Sequence, residues 1–268
     1  MSQFLSLITA DASLVCCELE RVRAVFAPGA HEVVGVGAWQ DGQIVQRSAA
    51  AGASRQAVWE PPASPVVVLA SRALAVGQGL ETDAQPFRFR RWLFAASGAL
   101  TRADQVRARV RETLPEFLAG AVRGATWEVA AFARFLTELR ALGRMEDERL
   151  EAATAAGCLA AAAKVVEEVS AAVGVAERPV FSLCASNGRT LVAVARGAPL
   201  SYALLEGQAA CARHGLTDDA RAVEPLVQDH LRRRSVVVTS QQSPGPGWLR
   251  LAGDATLAVD LRLAVTVR

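Results

Sequence analysis

The chain has 268 residues, enough to bury a full core as one large domain or two small ones. An apolar content of 51% against 21% charged residues excludes a disordered chain, and a net charge of +2 argues against a polyanionic partner. Lys164 is the sole lysine among 29 basic residues, and the basic runs Arg88-Phe89-Arg90-Arg91 and Arg232-Arg233-Arg234 are short, so nucleic-acid binding is not expected.

In chain order, Ser2 to Ile8 alternates loosely and predicts a strand. Ser13 to Phe26 carries a helical stripe (Leu14, Val15, Leu19, Val22, Val25, Phe26), with Asp11 or Ser13 as cap and Pro28-Gly29 as stop. Val33 to Ala38 and Gln43 to Gln46 flank Gln40-Asp41-Gly42, a hairpin signal. Ala49 to Pro65 is small and proline-rich and reads as a surface loop. Val66 to Ala70 and Trp92 to Ala96 are short apolar runs suited to strands covered on both faces, joined by a long loop. Each run ends at a small polar residue, followed by Arg72 in one case and Gly98 in the other.

Arg102 to Ala119 has helical spacing interrupted at Pro115. Trp127 to Leu142 predicts an amphipathic helix, and Leu150 to Val173 an alanine-rich one. Val180 to Ala185 and Thr190 to Ala195 flank Asn187-Gly188, the strongest hairpin signal in the chain. Tyr202 to Leu205 reads as a further strand, with a helix or loop around Val223 to Leu231. Ser235 to Thr239, Trp248 to Leu251 and Leu261 to Val267 read as closing strands. No repeat and no linker divides the chain, so a single domain over residues 1–268 is expected.

Cys16, Cys17, Cys158, Cys184 and Cys211 form no C-x-x-C pair and read as reduced thiols of a cytosolic protein. His31, His214 and His230 show no ligand spacing, so no metal and no cofactor is expected. The N-terminus lacks the basic and apolar regions of a signal peptide, and no apolar stretch reaches membrane-span length. The expected location is cytoplasmic, with no membrane partner.

The central stretch resembles the class II glutamine amidotransferases, and most closely their stand-alone bacterial members. Their pattern runs His-Val-Arg-Ala, a glycine-bearing loop, Asn-x-His-Pro-Phe, then a Trp-x-Phe strand ending in His-Asn-Gly. This chain has Ala70-Ser71-Arg72-Ala73, Val76-Gly77, Asp83-Ala84-Gln85-Pro86-Phe87, Trp92-Leu93-Phe94 and Ala96-Ser97-Gly98. Val34 to Trp39 resembles the family's Gly-x-Gly-x-x-Trp/Tyr strand, and Asn187 to Ala193 its Asp-Gly-x-x-Leu-x-Ala hairpin. The resemblance implies an α+β fold, the four-layer αββα sandwich of two mainly antiparallel sheets found in N-terminal-nucleophile hydrolases.

It also implies a site. After loss of the initiator methionine, the family uses the residue at position 2 as nucleophile, with its own α-amine as base; here that is Ser2, where the family has cysteine. The α-amine titrates near pH ~8, so part of it is neutral at cellular pH, but a hydroxyl needs stronger activation than a thiol. Arg72 matches the arginine that grips the substrate α-carboxylate through a planar fork, with an internal salt bridge to Asp83 or Glu81 as the plainer reading. Gly98 matches the glycine whose N–H holds the oxyanion, or serves only the turn. Ser97 replaces the asparagine that supplies the second donor, and losing one such donor costs about 3–4 kcal/mol. Trp127 stands where an aspartate meets the substrate ammonium and reads as a core or pocket-filling residue, while Glu128 is expected to point elsewhere on the helix. Ser71 and Gln85 replace histidines.

The catalytic candidates are therefore Ser2, Gly98 and Ser97, and the substrate-binding candidates Arg72 and Trp127. Two functional readings follow. One is a domain with lost or much reduced glutaminase activity that acts as a binding or structural partner, its partners being a small carboxylate and another protein or a second copy. The other is a serine N-terminal-nucleophile amidohydrolase acting on a γ-glutamyl or related amide. No Walker-type loop and no ammonia-accepting synthase motif is recognisable, so amidotransfer would need a separate subunit.

Overall fold

A computed structural model describes residues 2–268 except Ala51, Ala222 and Ser243. Met1, on whose removal the α-amine mechanism depends, lies outside the described residues.

The first sheet has seven strands in the order β11-β9-β10-β1-β4-β2-β3, every pairing antiparallel. In chain order these are β1 (Gln3–Thr9), β2 (Val33–Gln40), β3 (Gln43–Ala49), β4 (Val66–Arg72), β9 (Ser201–Leu205), β10 (Ser235–Thr239) and β11 (Leu249–Arg250). The second sheet has six, ordered β13-β12-β8-β7-β6-β5 and again antiparallel: β5 (Phe87–Phe89), β6 (Trp92–Ala99), β7 (Val180–Ser186), β8 (Thr190–Arg196), β12 (Thr256–Asp260) and β13 (Val265–Val267). The helices are α1 (Val15–Val22), a single turn α2 (Leu80–Asp83), α3 (Ala103–Glu112), α4 (Glu116–Ala121), α5 (Trp127–Ala141), α6 (Ala152–Ala172) and α7 (Pro225–Arg232).

Strand periodicity sorts the side chains into three apolar layers. Along β4, Val66, Val68 and Ala70 meet Leu93 and Ala95 of β6 between the sheets, while Val67 and Leu69 turn outward to Val15, Leu19 and Val22 of α1. Along β6, Trp92, Phe94 and Ala96 turn outward to Phe132, Phe135 and Leu159 of α5 and α6. The central strands thus have no polar face, which is why they read as continuous apolar runs. The layers stack as helix, sheet, sheet, helix, the expected α+β sandwich.

Cys184 lies between the sheets with its sulfur 3.2 Å from Ser6 Oγ, and burial pushes its thiol up to about 12. The second hairpin locks the sheets together: Gly188 has φ +86°, and a Cβ there would lie 2.7 Å from the Trp39 ring.

Three expectations need correction. The surface loop after β3 sends Val58 and Trp59 into the outer core, where Trp59 packs edge-on against Phe26 at 5.9 Å. Leu261 to Val267 is not one strand, because Leu263 sits at φ +62° and turns the chain into the short β13. The long loop expected between the two central strands contains the single turn α2 and the three-residue β5.

Candidate functional site

The register of β1 on β4 pairs Gln3 with Ser71, and continuing it sets Ser2 beside Arg72. Alternation then decides direction. Arg72 follows Val66, Val68 and Ala70 on the face between the sheets, and Ser97 follows Leu93 and Ala95 on that same side of β6. Ser2, Arg72 and Ser97 converge at one end of the sandwich. Ser97 Oγ donates to Ser2 O at 2.7 Å, tying the start of β1 to the end of β6.

A cavity of about 290 Å³ opens there, lined by Ser2, Arg72, Gly98, Thr126, Trp127 and Glu128 among others. A second cavity of about 620 Å³ meets Ser2, Ser97 and Gly98 from the other side and runs toward Glu32 and Gln241. All five sequence-predicted site residues therefore border one or both cavities. Gly98 has φ +121°, and a Cβ there would lie 2.5 Å from Val180 O, so its backbone packing against β7 alone demands glycine.

Glu128 departs from expectation. It is buried in the first turn of α5, with an oxygen 3.4 Å from Arg72 Nη1. The reason is local: α5 begins at Trp127, whose ring turns away to meet Phe181 edge-on at 5.4 Å. The next side chain, about 100° further round the helix, then faces Arg72. Trp127 is both wall and core, buried yet bordering the cavity.

The expected partners of Arg72 are spent elsewhere. Asp83 accepts from Gly79 N at 3.0 Å, Thr82 Oγ1 at 2.8 Å and Ala125 N at 2.6 Å, so it fastens the loop before α5. Glu81 is exposed. The positions where the family has histidine are also structural. Ser71, on the outward face of β4, donates to Glu32 Oε2 at 2.8 Å, and Gln85 Oε1 accepts from Ala96 N at 2.6 Å.

Three residues that line the cavity carry buried polar atoms that make no hydrogen bond: Arg72 at Nε and Nη1, Thr126 at Oγ1 and Glu128 at Oε2. Two cationic donors, an anionic acceptor and a hydroxyl thus share one small space, able to meet both a carboxylate and a cationic or hydrogen-bond-donating group. Sequence reasoning missed Thr126 and Glu128. Their signal was position, since both stand where a helix opens after Gly124.

Among the described residues, no cluster of metal-ligand side chains lies at this cavity. Such side chains gather elsewhere, at Cys17, Cys211, His214 and His230. His31 stands apart, exposed in the turn before β2.

No protein-family model matches the chain. No curated protein sequence matches it either. Solved structures do. A glutamine aminotransferase class-II domain protein of Silicibacter pomeroyi aligns at TM-score 0.63 and 17% identity, over 99% of this chain and 98% of that one. A predicted glutamine amidotransferase of Pseudomonas aeruginosa aligns at TM-score 0.59 and 14% identity, over 100% and 96%. Glutamine phosphoribosylpyrophosphate amidotransferase of B. subtilis aligns at TM-score 0.56 and 11% identity, over 99% of this chain and 48% of that one. The fold is therefore that of the class II glutamine amidotransferase domains, an N-terminal-nucleophile hydrolase sandwich along nearly the whole chain. No helix among the described residues is long and apolar enough to cross a membrane.

Proposed function

We propose that this chain is a class II glutamine amidotransferase-like domain that keeps a carboxylate-binding cavity and has lost most or all glutaminase chemistry, serving as a binding or structural partner. The observation that carries the reading is the Ser97 contact. A hydroxyl has a single proton, and Ser97 directs it to Ser2 O at 2.7 Å, away from the role of second oxyanion donor. The missing donor alone is worth about 3–4 kcal/mol in the transition state. A serine nucleophile in place of a thiol slows attack further.

Arg72 supports the binding half of the reading. Its ion pair with Glu128 is long at 3.4 Å, leaving two guanidinium nitrogens without hydrogen bonds beside the cavity. A small carboxylate entering the cavity can pair with this guanidinium. The test is glutamate release from glutamine by the purified protein and its Ser2→Ala variant, with a thermal-shift series of small mono- and dicarboxylates on the parent and on Arg72→Ala. We expect no release above background and a carboxylate shift that Arg72→Ala abolishes. Turnover that disappears in Ser2→Ala would overturn the reading.

A second reading is a serine amidohydrolase acting on a γ-glutamyl or related amide. It is supported by the position of Ser2, which borders both cavities beside Gly98. That mechanism requires a free Ser2 amine, so an intact mass that includes Met1 would exclude it.

A further inference from the structure

The strands β9 and β10 are neighbours, yet the chain between them runs from residue 206 to 234 before it returns to the sheet. Among the described residues, a small apolar cluster there consists of Leu14, Cys17 and Cys211, with Leu216 packed alongside. Four metal-ligand side chains meet at this spot: Cys17 from α1, Cys211 and His214 from the crossover, and His230 from α7, their ligand atoms all within 4.8 Å of one another. Ligand spacing in the sequence did not announce them, because Cys17 stands almost two hundred positions before the others.

The distances from His214 are those expected within one coordination sphere. His214 Nδ1 lies 3.5 Å from Cys17 Sγ, 3.6 Å from Cys211 Sγ and 3.2 Å from His230 Nε2. Four ligands around a tetrahedral zinc, with Zn–S near 2.3 Å and Zn–N near 2.0–2.1 Å, place sulfur and nitrogen roughly 3.5–3.6 Å apart and two nitrogens roughly 3.3 Å apart.

Hydrogen bonding alone does not account for the cluster. His230 Nδ1 lies 2.8 Å from Leu226 O, a carbonyl that can only accept, so Nδ1 carries the proton and Nε2 of the neutral ring presents a lone pair. To bond that lone pair, His214 Nδ1 would have to donate, and it could then accept from neither thiol. One nitrogen with three close polar neighbours satisfies one of them as a donor. A cation at the centre takes a lone pair from each of the four atoms at once. The Leu226 carbonyl then supplies the outer contact that orients a metal-bound imidazole.

We propose that Cys17, Cys211, His214 and His230 form a structural Cys₂His₂ zinc site that fastens the β9–β10 crossover to α1. Binding converts two thiols to thiolates and releases their protons, so the completed zinc centre carries no net charge. Four protein ligands complete the tetrahedron and leave no open position for a substrate. The site lies at the far pole from the Ser2 cavity. Glu18, next to Cys17, accepts from Ser235 Oγ at 2.8 Å, and Ser235 pairs with Thr9 at the opposite end of β1 from Ser2. That strand is about 23 Å long at about 3.3 Å per residue, so the zinc would be structural and remote from any amide chemistry.

The experiment uses the whole chain. Metal content is measured on protein purified without chelator. Reduced, chelator-stripped protein is then titrated with Co²⁺ and back-titrated with Zn²⁺, for the parent and for His214→Gln, Cys211→Ser and Cys158→Ser. We expect stoichiometric zinc as purified, a tetrahedral Co²⁺ spectrum with thiolate charge-transfer bands that zinc displaces, and loss of that spectrum in His214→Gln and Cys211→Ser but not in Cys158→Ser. We also expect stripping to lower Tm and open residues 206–234 to protease. His214 is exposed, so its variant keeps the test free of a folding failure. An octahedral Co²⁺ spectrum, absence of metal from freshly purified protein, or a Cys17–Cys211 disulfide found by mass in protein kept under native thiol conditions would each overturn the proposal.

Discussion

Arg72 carries a permanent charge at the end of β4, and the fold supplies it with one carboxylate at 3.4 Å, on a helix that begins at the mouth of the cavity. The pairing is close enough to neutralise but too long to use the donors of the guanidinium, so Glu128 competes with an incoming carboxylate without occupying its place. Replacing Glu128 by Gln keeps the shape and removes the competitor. A small dicarboxylate such as succinate should then bind the variant more tightly than the parent, by calorimetric titration. Stability should fall by about 3 kcal/mol in urea unfolding, the low end of the cost of leaving a buried charge without its partner, because Arg72 lies beside a cavity. Weaker binding by the variant would mean that Glu128 itself contacts the ligand. The sequence could mark Arg72 and Ser97-Gly98 because each sits at the end of a visible apolar run, whereas Ser2, and the role of each residue, came from the family resemblance. It could not name Glu128, because which way the first turn of a helix faces depends on where the preceding loop delivers it. Here that loop is pinned by Asp83 through Ala125 N.

At the level of elements, local chemistry was readable wherever one residue type had one job. Asn187-Gly188 is the clearest case. Gly188 takes φ +86°, while Asn187 Oδ1 accepts from Arg189 N and Thr190 N at 3.0 Å each and from Thr190 Oγ1 at 3.2 Å. Asn187→Ala removes all three contacts from a buried turn that also seats Trp39, and should cost about 1–2 kcal/mol by chemical denaturation, with the fold retained in far-ultraviolet circular dichroism. A change below measurement error would show that the β7–β8 ladder holds the turn unaided. β12 was not readable for the converse reason. Thr256–Asp260 is five residues long, and its apolar side chains match the outer and inner layers only because β8 lies beside it. Long-range pairing creates such a strand, and no local propensity announces it. The crossover at residues 206–234 was ambiguous in the same way, since its contacts are made to α1, nearly two hundred positions earlier.

For the whole molecule, the layered plan followed from the doubly apolar central strands, which must be covered on both faces, but the fastenings between layers did not. They are side-chain contacts between distant segments. Arg178, just before β7, lies 2.7 Å from Glu167 of α6 and 2.7 Å from Asp254, just before β12. Arg196 of β8 reaches the same Glu167 at 2.9 Å, so α6 is clamped to the strand ends of the second sheet. Arg91 and Glu148, 2.7 Å apart, tie the β5–β6 turn to the segment leading into α6. The hydrogen bond from Arg178 holds Asp254 below the usual carboxylate range, and the one from Arg91 does the same for Glu148. A carboxylate whose folded value is depressed binds protons more readily when unfolded. Its contribution is therefore complete above the ordinary carboxylate range near pH ~4 and is lost as the pH falls through the lower folded value. Tm should accordingly hold level from neutrality down to that range and decline below it. Because these carboxylates lie at the surface, the electrostatic part of the decline should shrink in concentrated salt. Arg178→Gln should lower Tm at neutral pH by a small amount and leave a shallower acid decline, since Asp254 would then ionise much as it does in the unfolded chain. Thermal melts of both proteins across that acid range decide the matter: parallel curves displaced by a constant Tm would mean that Arg178 contributes packing alone, and that the clamp on α6 is not electrostatic.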